Sequence, residues 1–152
     1  MTTAVRLTEA FRGQPAGLAV VTAAGPVGLT ASSVASLALD PPAVAFSLKR
    51  ASSTAAAVLA AETALVHLLD ADDVALAERF AAPGDRFAAV RWAPLPTGEP
   101  RLLDTGLALR CQVLSTVDVG ASVLIAAQVV EVLGERRGAH LVHVDRTHRV
   151  LA

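Results

Sequence analysis

Two long apolar stretches near the C-terminus constrain the fold most strongly. LALRCQVLSTVDV (107–119) and ASVLIAAQVVEVL (121–133) meet at Gly120. The first alternates, although imperfectly, between apolar positions such as Leu109 and Cys111 and polar positions such as Arg110. A period of two is typical of a β-strand with one buried face. The pair therefore predicts two long strands joined at Gly120.

The rest of the chain alternates short β-rich runs with short helical segments. Strands are predicted at 18–22, 27–33, 43–48, 64–69 and 141–144, with a turn at 23–26, and helices at 8–11, 52–61 and 72–80. Residues 81–101 are rich in Pro and Gly and predict a long functional connection or lid, anchored by Phe87 and Trp92. We expect a mainly β fold with inserted helices, and a β-barrel rather than a layered α/β structure.

Composition narrows the class of protein. A length of 152 residues predicts a single domain over residues 1–152. The net charge of −1 argues against nucleic acid and anionic membranes as partners, because no basic patch is visible. The hydrophobic fraction of 53% suggests that apolar surface is covered by a second copy in a homodimer. The single cysteine, Cys111, is expected to be a small buried hydrophobic residue.

Residues 13–39 carry no charge, which raises the question of a membrane span. Gly25-Pro26 in the middle of the segment, together with its Ser and Thr residues, excludes an apolar spanning helix. The N-terminus has no apolar signal core. We therefore expect a cytoplasmic protein.

The segment from Gly28 to Thr54 holds the main candidate for a binding site. Ser52-Ser53-Thr54 opens an Ala-rich helix and follows Lys49, the single lysine of the chain, and Arg50. Free N–H groups at a helix N-terminus, hydroxyl donors and nearby cations are what a phosphate requires. The alternative is an ordinary capped helix beside a solvated basic pair, and spacing alone does not decide between them.

A second hydroxyl cluster, Thr30-Ala31-Ser32-Ser33, lies at the end of a predicted strand. An extended backbone offers alternating N–H and C=O groups that match the edge of a pyrimidine-like ring, and small side chains let the ring approach. The alternative is simply a polar strand end.

Other chemistry finds little support in the sequence. His140 and His143 would point to opposite faces of a strand, and no Cys or carboxylate completes a metal site with His148. His67, inside an apolar run, is expected to be a hydrogen-bonded structural histidine. No catalytic nucleophile, P-loop or Rossmann glycine pattern is present, so we assign no catalytic side chain and no metal ligand.

Three segments in order, GLTASS (28–33), LDPP (39–42) and SLKRASST (47–54), resemble the flavin reductase family with the FMN-binding split β-barrel. LAERF (76–80), GDRF (84–87), Cys111 with its strand, and His143-Val144-Asp145-Arg146 extend the resemblance over nearly the whole chain. Serine stands at position 32, where the family often has asparagine, and the aromatic residue that is frequent near the family's C-terminus is missing. The resemblance implies an NAD(P)H-dependent reductase that supplies reduced flavin to a partner monooxygenase.

The resemblance also implies roles for individual residues. The isoalloxazine of FMN or FAD would lie along Thr30, Ala31, Ser32 and Ser33. The ribityl chain and phosphate would be surrounded by Ser47, Lys49, Ser53 and Thr54, and Phe80 would pack nearby. His143 and Arg146 would meet NADH or NADPH. Two alternatives stay open on the same barrel: a flavin-binding module that does not turn over NAD(P)H, and an oxidoreductase that uses a deazaflavin.

Overall fold

The computed structural model of the protein describes residues 1–151, which form mainly β-strands with inserted helices. The helices are α1 (Thr3–Arg12), α2 (Ser53–Ala60) and α3 (Val74–Ala81), and a 3-10 turn, Ala71–Asp73, precedes α3. The strands are β1 (Ala16–Gly17), β2 (Ala19–Ala23), β3 (Val27–Ala31), β4 (Ala35–Leu39), β5 (Pro42–Lys49), β6 (Ala64–Leu68), β7 (Trp92–Pro94), β8 (Pro100–Leu102), β9 (Leu107–Val119), β10 (Ser122–Gly134), β11 (His140–Val144) and β12 (Thr147–Leu151).

One seven-stranded antiparallel sheet dominates the fold, in the order β3-β2-β6-β9-β10-β5-β4. β3 and β5 approach each other but are not paired through their backbones, so the barrel is split between them. Ser33, just past the end of β3, bridges this split, because its Oγ accepts the backbone N–H of Ser47 at 3.0 Å. The expected split β-barrel is confirmed.

The barrel interior is filled largely by small aliphatic side chains. α2 places Ala55 and Val58 against the sheet, and both are at most 1% exposed. Cys111 lies in the same core, where burial raises the pKa of its thiol to about 12. The expectation that Cys111 serves as a buried hydrophobic residue is confirmed.

A second core lies on the outer side of β2. In it, α3 and the loop that follows α3 pack against the sheet. Phe80 of α3 is completely buried there and meets Phe87 edge to face, with ring centroids 5.1 Å apart. Phe87 in turn meets Trp92 at 5.5 Å. These aromatic contacts anchor the long connection, as the sequence predicted.

His67 of β6 is fully buried beside this core. Its Nδ1 donates to the carbonyl of Val20, at 3.0 Å, and its Nε2 accepts the N–H of Leu102, at 3.1 Å. Burial lowers the pKa of His67 to about 4, so the ring is held neutral. Its predicted structural role is confirmed.

Several element boundaries differ from the prediction. The N-terminal helix was expected from Thr8, but it begins at Thr3, because Thr2 caps the N–H of Val5. Thr8 instead lies in mid-helix and donates to the carbonyl of Ala4. β4 and β12 were not predicted, because each exposes both faces over most of its length and shows no clear alternation. The short strands β1, β7 and β8 were not predicted either, and β7 and β8 pair within and just beyond the segment expected to be a long connection. Among residues 1–151, no helix is long and apolar enough to cross a membrane.

Candidate functional site

A groove lies along the open edge of β3, at the split in the barrel. It consists of three adjoining cavities of about 390, 410 and 420 Å³, which we call the α2 cavity, the β3 cavity and the histidine cavity. The α2 and β3 cavities share Ser52 and Arg86. The β3 and histidine cavities share Thr30, Ser32 and Ala81. Neighbouring cavities in this series therefore border on the same residues.

The α2 cavity lies at the N-terminus of α2. Ser52 caps the helix, because its Oγ accepts the N–H of Ala55 at 3.0 Å, and Ser53 and Thr54 line the cavity beside it. The strand-to-helix change after Lys49 therefore brings hydroxyl groups and free backbone N–H groups to one point. Hydroxyls, N–H groups and the positive end of the helix dipole together favour an anion.

The cation at this end is one that sequence reasoning missed. Arg86 lines both the α2 and β3 cavities, and its Nη1 donates to the carbonyl of Gly28 at 2.8 Å. Arg50, which was expected here, instead lies 3.2 Å from Asp118 of β9 and lines neither cavity. The segment GDRF (84–87) was part of the family resemblance and was the one sequence signal that pointed to Arg86. Its local sequence does not indicate that the loop folds back onto β3.

The β3 cavity is bordered by the backbone of the strand that ends at the first hydroxyl cluster. Thr30, Ala31, Ser32 and Ser33 line it from one side, and Ser47 and Lys49 line it from β5. The carbonyl of Gly28 faces the open edge, where Arg86 binds it. Since backbone groups alternate between the two edges of a strand, those of Thr30 face the same open edge.

Two side chains named from the sequence shape this cavity rather than open into it. The hydroxyl of Thr30 donates to the carbonyl of Ala77 at 2.6 Å, which fixes α3 against β3. Phe80 is completely buried and packs against Gly28, where an added Cβ would lie 2.9 Å from its Cε1. Phe80 therefore supports the floor of the groove.

The histidine cavity joins the β11–β12 hairpin to α3. The rings of His143 and His148 have centroids 5.6 Å apart, and Nε2 of His148 lies 3.7 Å from Oε1 of Glu78. The Nδ1 atoms of both histidines are buried, and neither has a hydrogen-bond partner within residues 1–151. Sequence reasoning had assigned neither His148 nor Glu78 to the site.

Arg146 does not reach the groove. It occupies the turn between β11 and β12 with a φ of 58°, is exposed, and is not among the residues that line the histidine cavity. The turn directs it away from the cavity that His143 enters from the preceding strand. His148, which pairs with His143 in the β11–β12 ladder, lines the cavity.

Comparison with known proteins identifies the family. The sequence model described as the flavin reductase like domain matches residues 11–152. The chain belongs to this family. The resemblance inferred from the sequence is thereby confirmed.

Individual relatives of this flavin reductase-like domain agree with the assignment. It is 43% identical over 131 residues to an NADH:FMN oxidoreductase of Rhodococcus qingshengii, covering 83% of this chain and 68% of that protein. A flavin reductase domain protein from Arthrobacter sp. FB24 superposes with a TM-score of 0.93 at 30% identity, covering 98% of this chain and 96% of that one. BorF, the flavin reductase component of a bacterial two-component tryptophan halogenase, gives a TM-score of 0.86 at 25% identity, covering 97% and 98%.

Proposed function

We propose that this chain, as a single domain over residues 1–152, is an NAD(P)H:flavin oxidoreductase that binds flavin along β3 and the nicotinamide nucleotide at the histidine end. The observation that carries the proposal is the succession of three bordering cavities from the N-terminus of α2, past the edge of β3, to His143 and His148. The Rhodococcus relative, an NADH:FMN oxidoreductase, supports the same pairing of nucleotides.

The residues of the groove suit a flavin nucleotide in one orientation. Ser53, Thr54 and Arg86 line the α2 cavity and would hold the phosphate through hydroxyl, N–H and guanidinium groups. Lys49 and Ser47 border the middle of the groove, where the ribityl chain would lie. The small side chains of Ala31, Ser32 and Ser33 let a planar ring approach the edge of β3, and Phe80 supports the floor beneath.

A bound flavin would supply the redox chemistry, which is hydride transfer from the nicotinamide nucleotide. The chain's task is to orient the two rings at reacting distance and to stabilise negative charge at the pyrimidine end of the ring. Backbone N–H groups near Ser32 and Ser33 would serve the second task. Ser33 is held for it, because its Oγ also donates to the carbonyl of Ser47 at 3.2 Å. The mechanism needs neither a nucleophile nor a metal.

The nicotinamide nucleotide is assigned to the histidine cavity. His143 and His148 line this cavity. Within residues 1–151 their Nδ1 atoms are buried without a hydrogen-bond partner, and such atoms need one from a ligand or water. We place His143 in contact with the nicotinamide part of the nucleotide. We replace Arg146 by His148 in this proposal, because Arg146 lies at the exposed turn.

The partner proposal has two parts. BorF serves a two-component tryptophan halogenase, which supports delivery of reduced flavin from this chain to a separate monooxygenase. A homodimer is supported by exposed apolar side chains on β9 and β10, among them Val117 at 53% and Leu124 at 44% exposure. A cytoplasmic location is part of the proposal, because the reaction consumes NAD(P)H.

Anaerobic stopped flow tests the function. We expect the flavin absorbance band of the FMN-loaded protein to bleach when NADH or NADPH is mixed in, and spectra taken with FAD show whether it serves equally. If FMN stays oxidised with both dinucleotides in excess, the reductase assignment fails and the protein is a flavin-binding module. If a deazaflavin is reduced where FMN and FAD are not, the deazaflavin enzyme replaces it.

A further inference from the structure

We propose that Glu78 is a positioning residue, which holds His148 so that its Nδ1 accepts a hydrogen bond from the carboxamide NH₂ of the nicotinamide. This inference rests on the proposed function. It adds a specific contact between His148 and the nicotinamide nucleotide. It also gives a role to the carboxylate of Glu78, which lines the histidine cavity and faces His148.

The first support is the pair of unpartnered nitrogens. A buried hydrogen-bonding atom that loses water without gaining a partner destabilises the protein. The Nδ1 atoms of His143 and His148 are both in this state within residues 1–151, and both rings line the histidine cavity. A ligand in this cavity would provide the missing partners.

The second support is the carboxylate that faces the other nitrogen of His148. Oε1 of Glu78 lies 3.7 Å from Nε2, which is within ion-pair range but long for a hydrogen bond. Such contacts commonly tighten when the ligand binds. Because an ionised carboxylate only accepts, the proton of the neutral ring belongs on Nε2, which leaves Nδ1 as an acceptor.

The third support is the position of Glu78. It follows Ala77, whose carbonyl accepts the Thr30 hydroxyl at 2.6 Å, so the helix that carries Glu78 is fixed to β3. Thr30 and Ser32 form the wall shared by the β3 and histidine cavities. A nicotinamide stacked beside this wall would present its carboxamide to the histidine rings.

An acceptor at this position selects a particular donor. The carboxamide of nicotinamide carries NH₂, whereas the acetyl group of 3-acetylpyridine adenine dinucleotide carries a methyl group in its place. A site that accepts a hydrogen bond from the NH₂ should distinguish the two dinucleotides. Ribose hydroxyls are the other donors within this part of the nucleotide, and they are identical in both.

The kinetic test measures the ratio of kcat/KM in the variant to kcat/KM in the wild type, once with NADH and once with the reduced acetylpyridine analogue. Because each ratio uses a single donor, the intrinsic reactivity of that donor cancels. We expect Glu78→Ala and His148→Ala to lower kcat/KM for NADH about tenfold or more, mainly through KM, and to change the analogue less than threefold. Glu78→Gln should restore most of the loss, because its amide oxygen still accepts from Nε2. Arg149→Ala is the matched control and should behave as wild type, because Arg149 is exposed on the same strand as His148 and does not line the histidine cavity.

A binding measurement without turnover completes the test. In the FMN-loaded protein, NAD⁺ should shift the ¹⁵N resonance of His148 Nδ1, and the oxidised acetylpyridine analogue should leave it nearly unchanged. Equal losses for both dinucleotides in Glu78→Ala would overturn the inference in favour of a ribose contact or a structural role. If the wild-type protein oxidises neither donor, the proposed function itself fails. In that case the NMR comparison alone tests the hydrogen bond between Nδ1 of His148 and the carboxamide NH₂.

Discussion

Arg86 donates a hydrogen bond from Nη1 to the carbonyl of Gly28, 2.8 Å away, and so joins the loop after α3 to the open edge of β3. Its Nε also donates to the carbonyl of Ala82 at 2.8 Å, which holds the guanidinium in one orientation. The same side chain lines the α2 and β3 cavities. A fixed cation beside the N-terminus of α2 is the basis of the first prediction.

Arg86→Ala and Thr54→Ala should each weaken FMN binding by about 1.5–3 kcal/mol, the usual contribution of a hydrogen bond to a charged group. This corresponds to a loss of roughly tenfold to a hundredfold in affinity, measured by fluorescence titration. Riboflavin lacks the phosphate and should respond little to either change. Arg50→Ala is the control, because Arg50 pairs with Asp118 away from the groove. Equal losses for FMN and riboflavin would contradict the phosphate assignment.

Gly28→Ala should destabilise the protein by about 1–3 kcal/mol, the usual cost of overpacking a core. The new Cβ would lie 2.9 Å from Cε1 of the fully buried Phe80 and 3.2 Å from Cγ2 of Thr22, so the ring must move. Gly17→Ala is the matched control, because its Cβ would meet no atom within 4 Å. Urea denaturation of the two variants provides the measurement, and equal stabilities would refute the packing argument.

Acidification should destabilise the protein through His67. Burial lowers the pKa of His67 to about 4 from the ordinary histidine value of 6.5, so the unfolded chain takes up the proton first. The contribution of neutral His67 to the free energy of unfolding is complete above pH 6.5. It is lost as the pH falls towards 4, and the total loss is about 3 kcal/mol. Denaturation midpoints between pH 8 and pH 4 should therefore fall more steeply for wild type than for His67→Gln. Parallel curves for the two proteins would rule out His67 as the cause.

The proposed homodimer predicts a specific effect of charge on the long strands. Val117 of β9 and Leu124 of β10 are directly opposite each other in the ladder, and both are about half exposed. The double change Val117→Glu and Leu124→Glu should convert a dimer into monomers, because it buries two carboxylates in an apolar interface. Val150→Glu on β12 should leave the assembly intact. Light scattering that shows a wild-type monomer at micromolar concentration would refute the dimer.

The sequence predicted those parts of the structure that depend on local pattern. The turn between β2 and β3, the helix after Ser52-Ser53-Thr54 and the two long strands around Gly120 each follow from neighbouring residues. β4 and β12 escaped prediction because they are exposed on both faces over most of their length and carry no period. Local pattern is informative where at least one face of a strand is buried.

The residues of the candidate site also fall into those that local sequence predicted and those that it did not. Ser53, Thr54 and the 30–33 cluster lie close in sequence, and the structure brings them to one groove. Arg86 and Glu78 reach that groove only through the docking of α3 and its following loop on β3, by contacts such as the bond between Thr30 and Ala77. His148 depends on the pairing of β12 with β11. Such long-range placements leave no mark in a local pattern.

The two ends of the groove are built by separable parts of the chain. β3, β5 and α2 belong to one continuous stretch, whereas His143 and His148 come from a terminal hairpin that pairs with β1 in a sheet of its own. In the proposed assignment, substitutions on the cavity side of that hairpin should change the choice of electron donor, while its Leu141 stays buried in the core with Val20 and Phe80. The hairpin is therefore the natural segment to exchange among relatives when a reductase with a different donor preference is to be engineered.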